Sequence, residues 1–365
     1  MKASRWFLLA TFLCLCVGCS RPPPTIEQCV DQLNGDSPDA AIDRLVEIGD
    51  PAVEHLDKIY EHLDERSRRF ALRIFREVGS EKAVEALIRK LGADVSTQSL
   101  AKWELCVVGE DCVAQLVRAL SAANARTRSR IVETLACIGG ADALEALLGL
   151  YELEKDDGVI AHVLMCLRSF DDDTAMEILA REARSENIVH ALYASDSLGR
   201  MKNPKSVVAL AAILREDKRV LIKIRAAAGL ARMNDSTGIE FLAERLHDGE
   251  LAVRKASIDE VGRFKLVLFA DLLVQYLEDE HAELRAASAR SLQQIGDNRA
   301  TPALIKVLHD DNTEVRKSAI CALWEIGDLR ALEDLLSVAR ADPDSKNREL
   351  ALDAYLNISA REVEN

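Results

Sequence analysis

Aromatic residues are scarce in this chain of 365 residues, making up 4% of it although 48% of the residues are hydrophobic. β-Strands are enriched in aromatic and β-branched side chains, whereas Ala and Leu, which dominate here, suit closely packed helices. The length allows two ordinary globular domains or one extended repeat array. The composition therefore favours a helical protein with a large core.

Positive charge is also in short supply. Asp and Glu number 61 against 47 Lys and Arg, so the formal net charge is -14. Binding to nucleic acid depends on neutralising phosphates with Lys and Arg, and an acidic surface repels them. We therefore expect no nucleic-acid ligand.

Motifs for catalysis and for metal binding are missing. The sequence has no HExxH, GxSxG, Walker A or GxGxxG segment, and no CxxC pair beyond residue 19. His-Glu dyads do not recur, which argues against a di-iron hydroxylase site. We expect the histidines at the surface or at helix ends, and we predict no catalytic residue, metal or cofactor.

The N-terminus has the layout of a secretory signal. Lys2 and Arg5 precede an apolar run over residues 6–17, which small residues follow. A run of twelve residues is shorter than the roughly 20 that a helix needs to cross a bilayer.

The segment Cys16-Val17-Gly18-Cys19 resembles a bacterial lipobox, with Cys16 where the family usually has Leu. The resemblance implies a signal peptide over residues 1–18, cleavage before Cys19, and acyl chains on the Cys19 sulfur and the new amine. Several acyl chains anchor a protein stably. Ser20 replaces the Asp of an inner-membrane retention signal, so we expect the outer membrane, facing the periplasm. The alternative is an ordinary secretory signal that is cut elsewhere.

Without Lys2 and Arg5 the mature chain would carry about -16. Its residues 19–25 are a short, proline-rich tether, in which five residues after Cys19 reach only about 15 Å in a polyproline conformation. The folded part, residues 26–365, would therefore lie close to the membrane.

An internal repeat organises the rest of the chain. Residues 283–297 read ELRAASARSLQQIGD and residues 314–328 read EVRKSAICALWEIGD, 31 residues apart. Each unit consists of a helix with a narrow apolar face, a turn that favours glycine, and a second apolar helix. The predicted turns recur every 30 to 32 residues: Gly49, Gly79, Gly109, Gly139, Asp171, Lys202, Asn234, Lys265, Gly296, Gly327 and Ser359.

These motifs resemble the short HEAT-like repeats of the phycobilisome-lyase type, over roughly residues 35–360. The resemblance implies an all-α fold, a right-handed α-solenoid of about eleven two-helix repeats. In such arrays neighbouring helix pairs stack, so that one core runs through the array.

A series of charges follows the same spacing. We interpret each Asp as ordering a turn and each base, six residues later, as pairing with an acid of a neighbouring repeat. We call these residues the charge ladder; they are Asp217, Asp248, Asp279, Asp310, Lys223, Arg254, Arg285 and Arg316.

Two cysteines flank the predicted turn at Gly109. Cys106 and Cys112 would lie on two antiparallel helices and could reach bridging distance, so we consider a disulfide between them. The alternative is that both thiols are small core residues.

Two departures from the repeat pattern are candidate partner-binding sites. Four apolar residues, Leu266, Val267, Leu268 and Phe269, replace the polar turn of the other units, and exposed apolar patches often bind partners. The alternative is that the second helix starts early and packs them away. Trp324 takes a position where other units have polar or small residues, so we expect it to be exposed and able to bind.

The sequence therefore favours a lipid-anchored scaffold of the bacterial cell envelope that binds protein partners and has no catalytic activity. One alternative, which rests on the family resemblance alone, is a chromophore lyase or isomerase. Another is a structural assembly factor whose partner is a second copy of itself.

Overall fold

The computed structural model describes residues 23–35, 37–201 and 203–363. Within these ranges the regular structure is entirely helical. The first helices are α1 Ile26–Gln32, α2 Asp39–Ile48, α3 Asp50–Ile59, α4 Glu65–Val78, α5 Glu81–Lys90, α6 Val95–Val108, α7 Val113–Leu120, α8 Ala125–Ile138, α9 Gly140–Leu153, α10 Asp157–Leu167 and α11 Asp173–Glu182. The remaining helices are α12 Ile188–Arg200, α13 Pro204–Glu216, α14 Val220–Arg232, α15 Ser236–Leu246, α16 Leu251–Arg263, α17 Ala270–Tyr276, α18 Ala282–Ile295, α19 Thr301–Lys306, α20 Thr313–Ile326, α21 Leu332–Ala341 and α22 Ser345–Val363.

Short 3-10 turns lead into or extend several second helices. They span Tyr60–His62, Gly109–Cys112, Val267–Phe269, Asn298–Ala300, Val307–His309 and Leu329–Ala331. The predicted signal peptide, Cys19 and the turn residue Lys202 lie outside the described residues.

The chain divides into two compact units, one ending at Ala146 and the other beginning at Leu147. In the first unit α2, α4, α6 and α8 stack in order, each on the next, and the second helices pack beside them. In the second unit the stacked first helices are α10, α12, α14, α16, α18, α20 and α22. This succession of neighbour contacts confirms the α-solenoid fold.

The repeat frame holds in the described residues as ten helix pairs, from α2/α3 to α20/α21, with α1 before them and α22 after them. The turn predicted at Ser359 is wrong, because α22 continues through it to Val363. The Ser359 hydroxyl donates to the carbonyl of Leu356 within that helix.

Most of the described turns after the first helices have the positive φ that a glycine position predicts. Gly49, Gly79, Gly109, Gly139, Gly296 and Gly327 all have positive φ. Asn234 and Lys265, which replace glycine in the frame, take φ of 60° and 54°. Eight of the predicted turn positions thus have positive φ, whether or not the residue is glycine, whereas Asp171 does not.

The core of the second unit follows the stacked helices. Ala228, Val261, Leu292 and Leu323 come from four successive first helices and are fully buried. Among the described helices, none is both long and apolar enough to cross a bilayer.

Candidate functional site

The apolar turn after α16 is half buried and half exposed. Leu266 and Phe269 keep only 4% and 6% of their surface, whereas Val267 and Leu268 keep 49% and 52%. The early start of the second helix, as the 3-10 turn Val267–Phe269, places Leu266 and Phe269 in the core. The prediction of four exposed residues is therefore wrong for those two, and the exposed part is Val267 and Leu268.

Val267 and Leu268 open onto a cavity that is rich in cations. Its volume is about 430 Å³, and we call it the basic cleft. Its lining contains four cationic side chains and no carboxylate. The residues that line the cleft are Arg200, Ala231, Arg232, Asn234, Arg263, Phe264, Lys265, Leu266, Val267 and Leu268.

The three arginines are the last residues of α12, α14 and α16. The C-terminal end of a helix carries a partial negative charge, which favours a cation there. Small residues on the preceding turn let the helices approach closely, since a methyl group at Gly229 would lie 2.7 Å from the Cα of Gly199. Helix ends from three successive repeats therefore converge on one cavity.

Arg200 is held firmly in the wall of the cleft. Its Nε donates to Oδ2 of Asp196 at 2.8 Å, and its Nη2 donates to the carbonyl of Arg263 at 3.0 Å. Its guanidinium also lies 5.1 Å from the centre of the buried Phe264 ring. Arg200 thus ties the end of α12 to the end of α16, two repeats along the chain.

The other cations of the cleft are more available. Arg232 donates only to the carbonyls of Gly199 and Arg200, each at 3.3 Å, and it is exposed. Among the described carboxylates, none forms an ion pair with Arg232 or Lys265. Arg263 is half exposed, and its Nε lies 3.5 Å from Oε1 of Glu260. These three side chains can accept an anionic ligand with little rearrangement.

Two acids that pair with arginines of the cleft are buried. Glu260 accepts a hydrogen bond from Nη2 of Arg225 at 2.6 Å, and both side chains are about 90% buried. Burial raises the pKa of Glu260 above its ordinary value, although Arg225 opposes this. Asp196 is also buried and is bonded to Arg200 and Arg168. Asp196 and Glu260 therefore lie inward, whereas Arg232 and Arg263 are exposed.

A second cavity, of about 390 Å³, shares Arg200 with the basic cleft. It is lined by Arg168, Ser169, Phe170, Asp171, Arg200, Met201 and Asn203. This second cavity has the carboxylate of Asp171 in its lining beside Arg168 and Arg200, so it lacks the purely cationic lining of the basic cleft.

The Asp residues of the charge ladder order their turns. Asp217, Asp248, Asp279 and Asp310 each accept the backbone N–H of the residue two positions later. Arg254, Arg285 and Arg316 each donate to the backbone carbonyl of the Asp six residues earlier. These contacts make the charge ladder a structural feature of the turns.

Pairing with the next repeat occurs at only part of the charge ladder. Arg285 pairs with Asp310 at 2.6 Å, and Arg316 pairs with Asp342 at 2.8 Å. Among the described residues, Lys223 and Arg254 have no such acid. Asp217 instead forms an ion pair with Arg219 of its own turn, at 2.7 Å.

The exposed tryptophan is not the one that the sequence predicted. Trp324 is half buried and packs against the core, so its predicted exposure is only partial. Trp103 on α6 keeps 59% of its surface, and Val107, one turn later, keeps 47%. Trp103 could not be identified from the sequence, because a single aromatic residue gives no sign of which way it faces.

Cys106 is bonded to Cys137, and not to Cys112 as the sequence suggested. Their Cα atoms lie 6.0 Å apart and the residues are 31 apart in sequence, so the disulfide joins α6 to α8. Cys112 is a buried free thiol that contacts the carbonyl of Gly109. Residues one repeat apart face each other on stacked helices, which brings Cys106 and Cys137 together.

One histidine lies away from the surface position expected for it. His190 is mostly buried, with Nδ1 3.2 Å from Glu182 and Nε2 3.3 Å from Asp157. The Tyr151 hydroxyl also donates to Glu182, at 2.7 Å. Among the described residues, no group of three or more His, Cys, Asp or Glu side chains is placed to hold a metal ion.

Residues 270–355, from α17 into α22, match the HEAT repeats family. No curated protein matches the chain significantly. The expectation of HEAT-like repeats is therefore supported over that segment.

Three solved structures are similar over most of the chain. The structure of human deoxyhypusine hydroxylase in complex with glycerol has 20% identity and a TM-score of 0.31, and covers 67% of this chain and 96% of its own. An engineered protein has 18% identity and a TM-score of 0.34, and covers 92% and 98%. The complex of CpcE and CpcF of phycocyanin lyase from Nostoc sp. PCC7120 has 20% identity and a TM-score of 0.31, and covers 75% and 86%. Similarities this distant carry no argument about activity.

Proposed function

We propose that this chain is a lipid-anchored scaffold of the bacterial cell envelope, which acts by binding a protein partner and not by catalysis. The observation that carries the proposal is the basic cleft, where exposed cations and the exposed Val267 and Leu268 face one cavity. Stacked helical repeats offer extended surfaces of this kind to partners.

Two features support an envelope location. The lipobox-like sequence at Cys19 would attach the chain to a membrane, and Ser20 favours the outer membrane, facing the periplasm. The disulfide between Cys106 and Cys137 suits an oxidising compartment, since such bonds are rare in the cytosol.

Lipid attachment can be tested by incorporation of radiolabelled palmitate in cells. We expect the native chain and the control Ser20→Ala to be labelled, and Cys19→Ala to remain unlabelled and to leave the membrane fraction. Equal labelling of Cys19→Ala and the native chain would overturn the anchor.

Partner binding can be tested by crosslinking and capture from envelopes. The informative variant is Val267→Ser with Leu268→Ser, because Leu266 and Phe269 are core residues whose loss would disturb the fold. The matched control is Val208→Ser with Leu221→Ser, an exposed valine and leucine elsewhere in the second unit. We expect one protein to be captured by the native chain and the control, and to be lost from the Val267 and Leu268 variant.

Three results would count against this function. Capture of the same protein by all baits would remove the cleft from the binding site. Capture of a differently tagged copy of the chain alone would favour self-association. If no protein is captured, the proposed scaffold function is wrong.

A further inference from the structure

We propose that the basic cleft binds an acidic, extended segment of a partner polypeptide, and that an apolar side chain of this segment packs on Val267 and Leu268. The inference rests on the proposed protein-binding function and adds the chemistry of the partner.

The charge of the cleft selects the partner. In a chain with 61 acidic and 47 basic residues, the lining has four cationic side chains and no carboxylate. The acids below it, Asp196 and Glu260, are buried and bonded to arginines. Arg232 and Lys265 are the cations that the described carboxylates leave unpaired. The cleft is therefore a local reversal of the charge of the whole molecule, and it complements an acidic ligand.

The spacing of the arginines suits an extended polypeptide. Arg200, Arg232 and Arg263 are 32 and 31 residues apart and end three successive stacked helices. The helices that end at Arg200 and Arg232 approach closely at Gly199 and Gly229, and Arg200 reaches the carbonyl of Arg263, so the three cations lie within reach of one polypeptide segment. Several carboxylates along one segment can meet these cations together, whereas a single small anion cannot.

The apolar side of the cleft favours a polypeptide over a simple anion. Val267 and Leu268 lie on the same cavity as Arg263 and Lys265, and both are about half exposed. A free phosphate would use the cations and leave these side chains in water. A segment with carboxylates and an apolar side chain would use both.

The test uses the full chain, purified in detergent, and a fluorescein-labelled peptide of four Asp-Leu-Ser repeats. Binding is followed by fluorescence anisotropy, and a peptide of four Asn-Leu-Ser repeats is the uncharged control. We expect the acidic peptide to bind and the control to bind at least tenfold more weakly. Higher salt should weaken binding, because exposed charges are screened.

Two charge-matched variants locate the site. Arg232→Ala with Arg263→Ala should weaken binding of the acidic peptide at least tenfold. Lys306→Ala with Lys317→Ala removes the same charge from exposed positions outside the cleft and should leave binding within twofold. Arg232→Glu with Arg263→Glu should reject the acidic peptide and bind one of four Lys-Leu-Ser repeats. Circular dichroism establishes that each variant is folded.

Four results would overturn the inference: no binding of the acidic peptide, equal binding of the Asn-Leu-Ser peptide, equal losses in both alanine pairs, or cleft-dependent binding of phosphatidylglycerol vesicles or inorganic phosphate in its place. If the peptide fails while envelope capture still depends on Val267 and Leu268, the inference falls and the proposed function stands. If both fail, both fall.

Discussion

Arg316 and Asp342 form a two-point ion pair between consecutive repeats. Nε of Arg316 donates to one carboxylate oxygen of Asp342 at 2.8 Å, and Nη2 donates to the other at 3.0 Å. The side chains keep only 8% and 2% of their surface. Nη1 of Arg316 also donates to the carbonyl of Asp310, so one arginine joins two turns.

We expect Asp342→Asn to lower the free energy of unfolding by about 3 kcal/mol, because it leaves the buried Arg316 charge without its partner. Asparagine can still accept the backbone N–H of Asp344, so the turn itself is preserved. The control Asp271→Asn breaks a pair in which Asp271 is 87% exposed, and it should change stability by less than about 0.5 kcal/mol. Urea denaturation measures both, and equal small losses would show that burial of the pair is unimportant.

The same pair predicts a pH dependence. Burial alone would raise the pKa of Asp342, but hydrogen bonds from Arg316 and from the N–H of Asp344 outweigh it and hold the pKa below its ordinary value. A lowered pKa contributes stability that is complete above the unfolded pKa, about 3.9, and is lost as the pH falls through the folded pKa. The Tm difference between the native chain and Asp342→Asn should therefore be steady above about pH 5 and shrink in acid. A difference that widens in acid would contradict this assignment.

The fold could be predicted from the sequence because the turn positions recur at a fixed spacing. That spacing identified Asn234 and Lys265 as turn residues, and both have positive φ without being glycine. It failed at Ser359, where no second helix follows to require a reversal and α22 simply continues.

The candidate site could be predicted only in part. The apolar composition of the turn after α16 pointed to the right place, but the three-residue period of the 3-10 turn puts Leu266 and Phe269 on the buried side and leaves Val267 and Leu268 facing out. The arginines of the basic cleft went unnoticed, although Arg200, Arg232 and Arg263 share the repeat spacing. Side chains one repeat apart lie close together on stacked helices, and Cys106 and Cys137 have the same spacing.

Lys265 offers a test of backbone strain at the cleft. A non-glycine residue at φ 54° is strained by roughly 1–2 kcal/mol. Glycine removes this strain but loses more conformational entropy on folding, which costs about 0.5–1 kcal/mol. Lys265→Gly should therefore stabilise the chain by about 0.5 kcal/mol. Gly296→Ala, at φ 76° with open space around it, should destabilise it by about 1 kcal/mol, and Gly249→Ala, without positive φ, should not. Thermal unfolding of the three variants tests this, and a destabilised Lys265→Gly would contradict it.

The close approach of α12 and α14 depends on two glycines. A methyl group at Gly229 would lie 2.7 Å from the Cα of Gly199 and 3.1 Å from Cδ1 of Leu210. Gly229→Ala should push the helices apart and lower the free energy of unfolding by about 1–3 kcal/mol. Gly149→Ala in α9 has open space and should stabilise by up to about 1 kcal/mol through helix propensity. Urea denaturation distinguishes the two, and a neutral Gly229→Ala would show that the helices can separate freely.

The cysteines of the first unit should differ sharply in reactivity. Burial raises the pKa of the Cys112 thiol to about 11, so at pH 8 the reactive thiolate is rare as well as inaccessible. Iodoacetamide should therefore leave Cys112 unmodified in the folded chain and modify it after denaturation.

Without reductant, mass spectrometry should find the tryptic peptides of Cys106 and Cys137 linked. Cys112→Ser should keep that link, whereas Cys137→Ser should abolish it and lower the free energy of unfolding by about 3–4 kcal/mol, since the bond closes a loop of 31 residues. A link from Cys106 to Cys112, or rapid alkylation of Cys112 in the folded chain, would contradict the pairing between stacked helices.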